Sequence, residues 1–134
     1  MTPMPINIRE NLQRFKEKIP SQVTLLAVSK TKPIQLLQEA YDAGQRDFGE
    51  NKVQELRDKQ PLMPNDIRWH MIGHLQTNKV KYIAPFIYMI HAVDSMKLLF
   101  EINKRAQANN RTIKVLLQVY IAKEEAKFGF DPDE

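Results

Sequence analysis

Lys30 is the residue whose type and place most directly suggest chemistry. It follows the apolar run Val23-Thr24-Leu25-Leu26-Ala27-Val28, which reads as a strand buried on both faces. Strand alternation sets Thr24, Leu26, Val28 and Lys30 on one side, so Lys30 continues a largely apolar face. A desolvated lysine has a lowered pKa, and its free amine is a nucleophile suited to a Schiff base with an aldehyde. A lysine at a strand end also snorkels to water, and spacing alone leaves both readings open. Lys32, beside Pro33, is expected to face solvent.

The three histidines raise a metal site. His70 and His74 stand four apart, a spacing that suits two ligands on a helix. Gly73 lies between them, however, and the segment reads as strand then turn, so the imidazoles should not converge. His70 then reads as a core or pocket histidine and His91 as a hydrogen-bonded interior one, and no metal is expected. Gly44, Gly49, Gly73 and Gly129 are isolated, so neither a Walker loop nor a dinucleotide fingerprint is present. There is no Gly-x-Ser-x-Gly elbow. Lys79, Lys81 and Tyr82 read as a solvated helix face rather than a nucleic-acid patch.

The elements that must position these groups alternate. A helical pattern through Ile6, Ile8, Leu12, Phe15 and Ile19 stops at Pro20. After the Val23–Val28 strand, Pro33 opens a helix with Ile34, Leu37 and Tyr41, closed by Gly44 as the left-handed residue. Arg46 to Gly49 is a second strand, with a helix from about Asn51 to Lys59. Ile67 to Ile72 is a third, followed by a helix from about Thr77 to Ala84. Phe86 to Val93 is a fourth, and Asp94 or Ser95 caps a helix whose apolar side carries Met96, Leu99, Phe100 and Ile102. Ile113 to Ile121 is a fifth. Strands alternating with helices require a parallel sheet, either open and doubly wound or part of a (β/α)₈ barrel. In both, functional groups gather just past the C-terminal strand ends.

Composition narrows the classes. The chain has 134 residues, 43% apolar and 27% charged, which reads as one domain over residues 1–134 with a real core. With no cysteine, a disulfide scaffold, a cysteine-ligated metal and a thiol nucleophile are excluded. Apolar stretches fall short of the roughly 18–20 residues of a membrane span and no signal-peptide pattern opens the chain, so a cytoplasmic protein is expected. The net charge of +4 is mild and scattered. A phosphate-bearing small molecule satisfies it as well as a nucleic acid.

Five motifs occur in one order. They are Leu25-Leu26-Ala27-Val28-Ser29-Lys30-Thr31-Lys32-Pro33, Phe48-Gly49-Glu50-Asn51-x-Val53-Gln54-Glu55 and Trp69-His70-x-Ile72-Gly73-His74-Leu75-Gln76-x-Asn78-Lys79, then His91-x-Val93-Asp94-Ser95, and a weaker Gln118-Val119 with Glu124-Glu125-x-Lys127-Phe128-Gly129-Phe130. Over nearly the whole chain this resembles the pyridoxal phosphate homeostasis protein family. The resemblance implies a parallel barrel like the N-terminal domain of alanine racemase. It implies pyridoxal 5′-phosphate as cofactor, held as a Schiff base on Lys30, with Asn51 beside it and His70 and Ile72 in the pocket wall. It also implies a role in vitamin B6 homeostasis without catalytic turnover. One alternative is a racemase-like enzyme, which needs a second acid/base opposite Lys30 that no motif here supplies; another is a truncated fragment that binds the cofactor weakly and acts only in an assembly.

Two departures stand out. Tyr120 and Ala122-Lys123 replace the family's usual residues at the fifth strand tip. A complete barrel takes about 250 residues, so the chain is expected to be C-terminally truncated, with about five strands, four helices and the N-terminal helix. The family's phosphate-binding residues belong to later strands, and none is carried over. Weak cofactor retention is expected, as is self-association through open barrel edges, with no nucleic-acid or membrane partner.

Overall fold

The computed structural model describes residues 7–119 and 121. The motif from Glu124 to Phe130, Tyr120 and Ala122-Lys123 therefore lie outside the described residues. Helix α1 (Ile8–Lys18) starts where the Asn7 side chain accepts the Glu10 amide at 3.0 Å, and it stops before Pro20. Strand β1 (Ala27–Val28) leads to α2 (Ile34–Asp42), which starts after Pro33 and is followed by Gly44 at φ +103°. Then come β2 (Asp47–Glu50), α3 (Val53–Lys59) and β3 (Arg68–Met71). A 3₁₀ turn at Thr77–Lys79 runs into α4 (Val80–Ile83), followed by β4 (Ile87–Val93). Ser95 Oγ accepts the Leu98 amide at 3.1 Å and caps α5 (Met96–Ala108), and β5 (Lys114–Leu117) completes the order.

All five strands are parallel and lie side by side in chain order, β1-β2-β3-β4-β5. That order decides what periodicity left open. A doubly wound sheet reverses direction at a switch point, whereas a barrel adds each strand on the same side. The fold is a parallel α/β sheet of barrel type, and the described residues form part of a barrel, with β1 and β5 as its edges. Right-handed crossovers in one direction place α2 to α5 on a single face. On that face Phe48, Trp69, Met71, Ile87 and Ile90 pack with Leu37, Leu56, Ile83 and Leu98 into the core.

Three local expectations are corrected. The first strand is two residues long, and its ends are not buried on both faces, since Val23 and Val28 are about half exposed. An edge strand in a one-sided layer has no neighbour on its outer flank to cover it. Likewise Leu116 and Leu117 on β5 are exposed. On α5, Ile102 of the expected row lies in the core with Leu98 and Ala106, and Leu99 packs against it, while Met96 and Phe100 face solvent.

Gly73 shows how tightly the strand tips pack. A Cβ there would sit 2.8 Å from the Asn51 carbonyl oxygen. That is backbone, which cannot swing aside. Gly73→Ala is expected to destabilise the chain by about 1–3 kcal/mol, the usual effect of overpacking a rigid site. Urea unfolding of the two proteins measures it.

Candidate functional site

Lateral pairing across the sheet separates two faces. Ala27, Phe48 and Trp69 lie in one row, and Phe48 and Trp69 are buried under the helices. Val28, Gly49 and His70 form the alternate row, which looks away from the helices. Gly49 lets side chains close over the backbone there. A Cβ at Gly49 would meet Ile72 at 3.2 Å and Leu26 at 3.3 Å. Leu26, Val28 and Ile72 thus make an apolar pad beside the β1 tip.

Lys30 stands at that tip, two residues beyond Val28, and is exposed rather than desolvated. The strand ends early and the backbone turns, so its side chain reaches water. The Ser29 amide still donates to the Gly49 carbonyl at 2.9 Å, and the Lys32 amide donates back to the Ser29 carbonyl at 3.1 Å. The Ser29–Lys32 turn carries Thr31 at φ +60°. Left-handed geometry is unusual for a β-branched residue and costs on the order of 1–3 kcal/mol.

Beneath this turn lies a buried polar cluster. Lys59 Nζ donates to the Ser29 carbonyl at 2.7 Å and to Glu50 Oε2 at 2.9 Å. Ser29 Oγ donates to the same Glu50 oxygen. Glu55 Oε1 accepts the Thr31 amide at 2.8 Å and lies 3.8 Å from Lys59 Nζ. Burial pushes the Glu50 carboxyl up against the downward pull of Ser29 and Lys59, and the rise prevails. Burial also raises Glu55, but its contact with Glu50 and the Thr31 amide outweigh that and hold it below the usual range. Glu50 Oε1 is buried and receives no donor.

Lower on the sheet face a chain of hydrogen bonds crosses three strands. Asp47 Oδ1 is 3.0 Å from His70 Nε2, and His70 Nδ1 is 2.9 Å from His91 Nε2. Arg68 forks onto Asp47 at 2.7 and 2.9 Å. Burial raises the Asp47 carboxyl, but the bonds from Arg68 and His70 outweigh it and hold it below the usual range. With Asp47 ionised, His70 donates from Nε2, its Nδ1 accepts from His91, and His91 Nδ1 is left as an acceptor. Burial lowers the His91 pKa, and the neighbouring His70 lowers it further.

The four residues singled out by sequence are spread over this region. Ile72 is part of the pad, Lys30 stands exposed two residues beyond Val28, and His70 lies buried in the floor, tied to Asp47 and His91. Asn51 is half-buried at the β2 tip, two residues before α3 rather than at its start. It lines a cavity of about 280 Å³ with Arg57, His74, Lys79 and Tyr82, whose walls include none of Lys30, His70 and Ile72. His74 pairs with Asp94 at 3.1 Å, away from His70. A larger cavity of about 340 Å³ lies at the opposite strand ends, lined in part by Lys16, Gly44 and Arg68. Sequence reasoning gave no role to Glu50, Glu55, Lys59, Asp47 or Thr31. The available signals were the two carboxylates of one strand, Asp47 and Glu50, and the i,i+4 spacing of Glu55 and Lys59.

Comparison with known proteins places these features in context. The sequence profile of the family described as "Alanine racemase, N-terminal domain" matches residues 6–134. The chain is 40% identical to the pyridoxal phosphate homeostasis protein of Aquifex aeolicus, over 96% of this chain and 61% of that one. It is 39% identical to the protein of the same name from Escherichia coli K12, over 92% and 58%. The chain therefore spans about 60% of the length of these relatives. Among solved structures, PipY of Synechococcus elongatus with PLP bound superposes with a TM-score of 0.85 at 39% identity, over 95% of this chain and 59% of that one. Alanine racemase from E. faecalis, at 18% identity and a TM-score of 0.69 over 92% of this chain and 34% of that one, shares the fold.

The histidine chain predicts a two-stage acid response. The folded His91 pKa lies below its ordinary 6.5, so the unfolded chain binds that proton first and stability falls as pH drops below about 6.5. Asp47, depressed from 3.8, contributes stability that is lost only at lower pH, as it becomes protonated. Unfolding free energies from urea titrations between pH 7.5 and about 3 should show both stages, and His91→Gln should remove the first alone.

Proposed function

This chain belongs to the alanine racemase N-terminal domain family, and from that premise we propose that it holds pyridoxal 5′-phosphate as a Schiff base on Lys30, serving cofactor homeostasis in the cytoplasm. The observation that carries the reading is Lys30 at a C-terminal strand tip, in a chain about 40% identical to proteins named for pyridoxal phosphate homeostasis.

The residues present suit such a group. Lys30 supplies an amine reachable from solvent, and the exposed Val28 with Leu26 and Ile72 over Gly49 offers an apolar bed for a flat aromatic ring. Asn51 stands at the neighbouring β2 tip, on a cavity separate from this bed. His70 lies in the floor with both ring nitrogens held, by Asp47 and His91. When bound, the cofactor supplies an aldehyde that takes up amines reversibly. In capture, the Lys30 nitrogen bonds to the aldehyde carbon and the aldehyde oxygen leaves as water. Lys30 is half of a tip whose other groups are spent on holding backbone, which fits carrying a cofactor better than turning over a substrate.

Incubation with pyridoxal phosphate, borohydride reduction and peptide mapping test this reading. The label is expected on Lys30, with the absorbance of the bound form absent in Lys30→Ala. Label scattered over surface lysines, with Lys30 unmodified, would falsify it.

A further inference from the structure

The turn that bears Lys30 is held in a shape it would not adopt unaided. The Lys32 amide closes a four-residue turn onto the Ser29 carbonyl, Thr31 occupies its third position at φ +60°, and Lys30 is not among the positive-φ residues. That is the type II pattern, which favours glycine where Thr31 stands. A type II turn differs from type I by a flip of the central peptide, here the one joining Lys30 to Thr31. The flip aims the Thr31 amide at Glu55 Oε1, which accepts it at 2.8 Å. On the other side, Lys59 Nζ grips the Ser29 carbonyl at 2.7 Å and is itself fixed by Glu50.

We infer that Glu55 and Lys59 are positioning residues which lock the Lys30 turn in its type II form and so aim the Lys30 amine at the helix-free face. The inference rests on the reading of Lys30 above and deepens it. Glu55 and Lys59 stand one helical turn apart on α3, so one rigid element grips the backbone on both sides of Lys30. Glu50 sits on β2 and braces Lys59 from below. The consecutive elements β2 and α3 thus grip the backbone on both sides of Lys30, 20 or more residues away in sequence. Without Glu55 the central peptide turns over, Thr31 relaxes to negative φ, and the lysine leaves the bed formed by Leu26, Val28 and Ile72.

The decisive experiment is a rescue. In the cofactor-free chain, Glu55→Ala should speed hydrogen exchange at the Lys32 amide by about tenfold or more, reporting an opened turn. The same variant should slow covalent capture of pyridoxal phosphate at Lys30 by about tenfold, as a displaced nucleophile does. Adding Thr31→Gly, which adopts positive φ unaided, should restore capture to within about twofold of the parent. Glu55→Gln, which keeps an acceptor oxygen, should fall between. Should Glu55→Ala not fold, Thr31→Pro serves instead, since proline forbids positive φ while Glu55 stays intact. It should slow capture to the same degree. Unchanged capture in Glu55→Ala or Thr31→Pro, or a loss that Thr31→Gly does not rescue, overturns the inference. If the parent chain captures nothing at Lys30, the functional reading fails instead. Exchange at the Lys32 amide then decides the lock on its own, and protection unchanged in Glu55→Ala overturns it.

Discussion

Everything at the Lys30 tip depends on one buried ammonium. Lys59 is almost wholly covered, and a covered charge is tolerable only when partners replace its water. Its partners are the Glu50 carboxyl and the Ser29 carbonyl, which belong to β2 and to the end of β1. Satisfying the charge therefore also fastens α3 to the first two strands and fixes the backbone beside Lys30. Removing the Glu50 carboxyl would leave the Lys59 charge buried without its counter-charge, at about 3–5 kcal/mol. A strained Thr31 can persist above such a platform because the surroundings leave the turn little choice.

The same sheet serves two purposes through its alternation. Its helix-facing rows are apolar and carry the packing, with Phe48, Trp69, Ile87 and Ile90 almost fully covered. Glu50 is the exception on that side, and it is the group that meets Lys59. The opposite rows hold Gly49 and the Asp47–His70–His91 chain. These polar groups are paired with one another rather than left to solvent, so the floor is ordered without a helix to cover it. A rigid, hydrogen-bonded floor with an apolar bed and a lysine at its upper rim is what a small aromatic aldehyde would meet.

Much of this was legible beforehand. Pro20, Pro33, Gly44 and Ser95 marked element ends where the structure has them, because proline, glycine and a capping serine act through local backbone chemistry. Lys30 stood out because a lysine ending an apolar run is rare enough to ask a question. Its exposure was not legible, since how far β1 extends depends on what lies beside it. The role of His70 was half legible. Its burial followed from its place in a strand rather than on a helix with His74, whereas its partners Asp47 and His91 are separated from it by 23 and 21 residues.

By itself, the sequence determined the succession of strands and helices, the parallel sheet and the family, because periodicity, caps and motif order are properties of neighbouring residues. Tertiary structure shows the strand order of a barrel, which periodicity left open and the sequence implied only through the family resemblance. It also decided that Glu50, Glu55 and Lys59 close around Ser29 and Thr31, and that Asn51 lines a cavity apart from Ile72. Those outcomes turn on contacts 20 or more residues apart, such as Thr31 with Glu55 and Ser29 with Lys59, separated by 24 and 30. Desolvation and strand register settle such contacts only once the sheet has formed, and no local pattern records them.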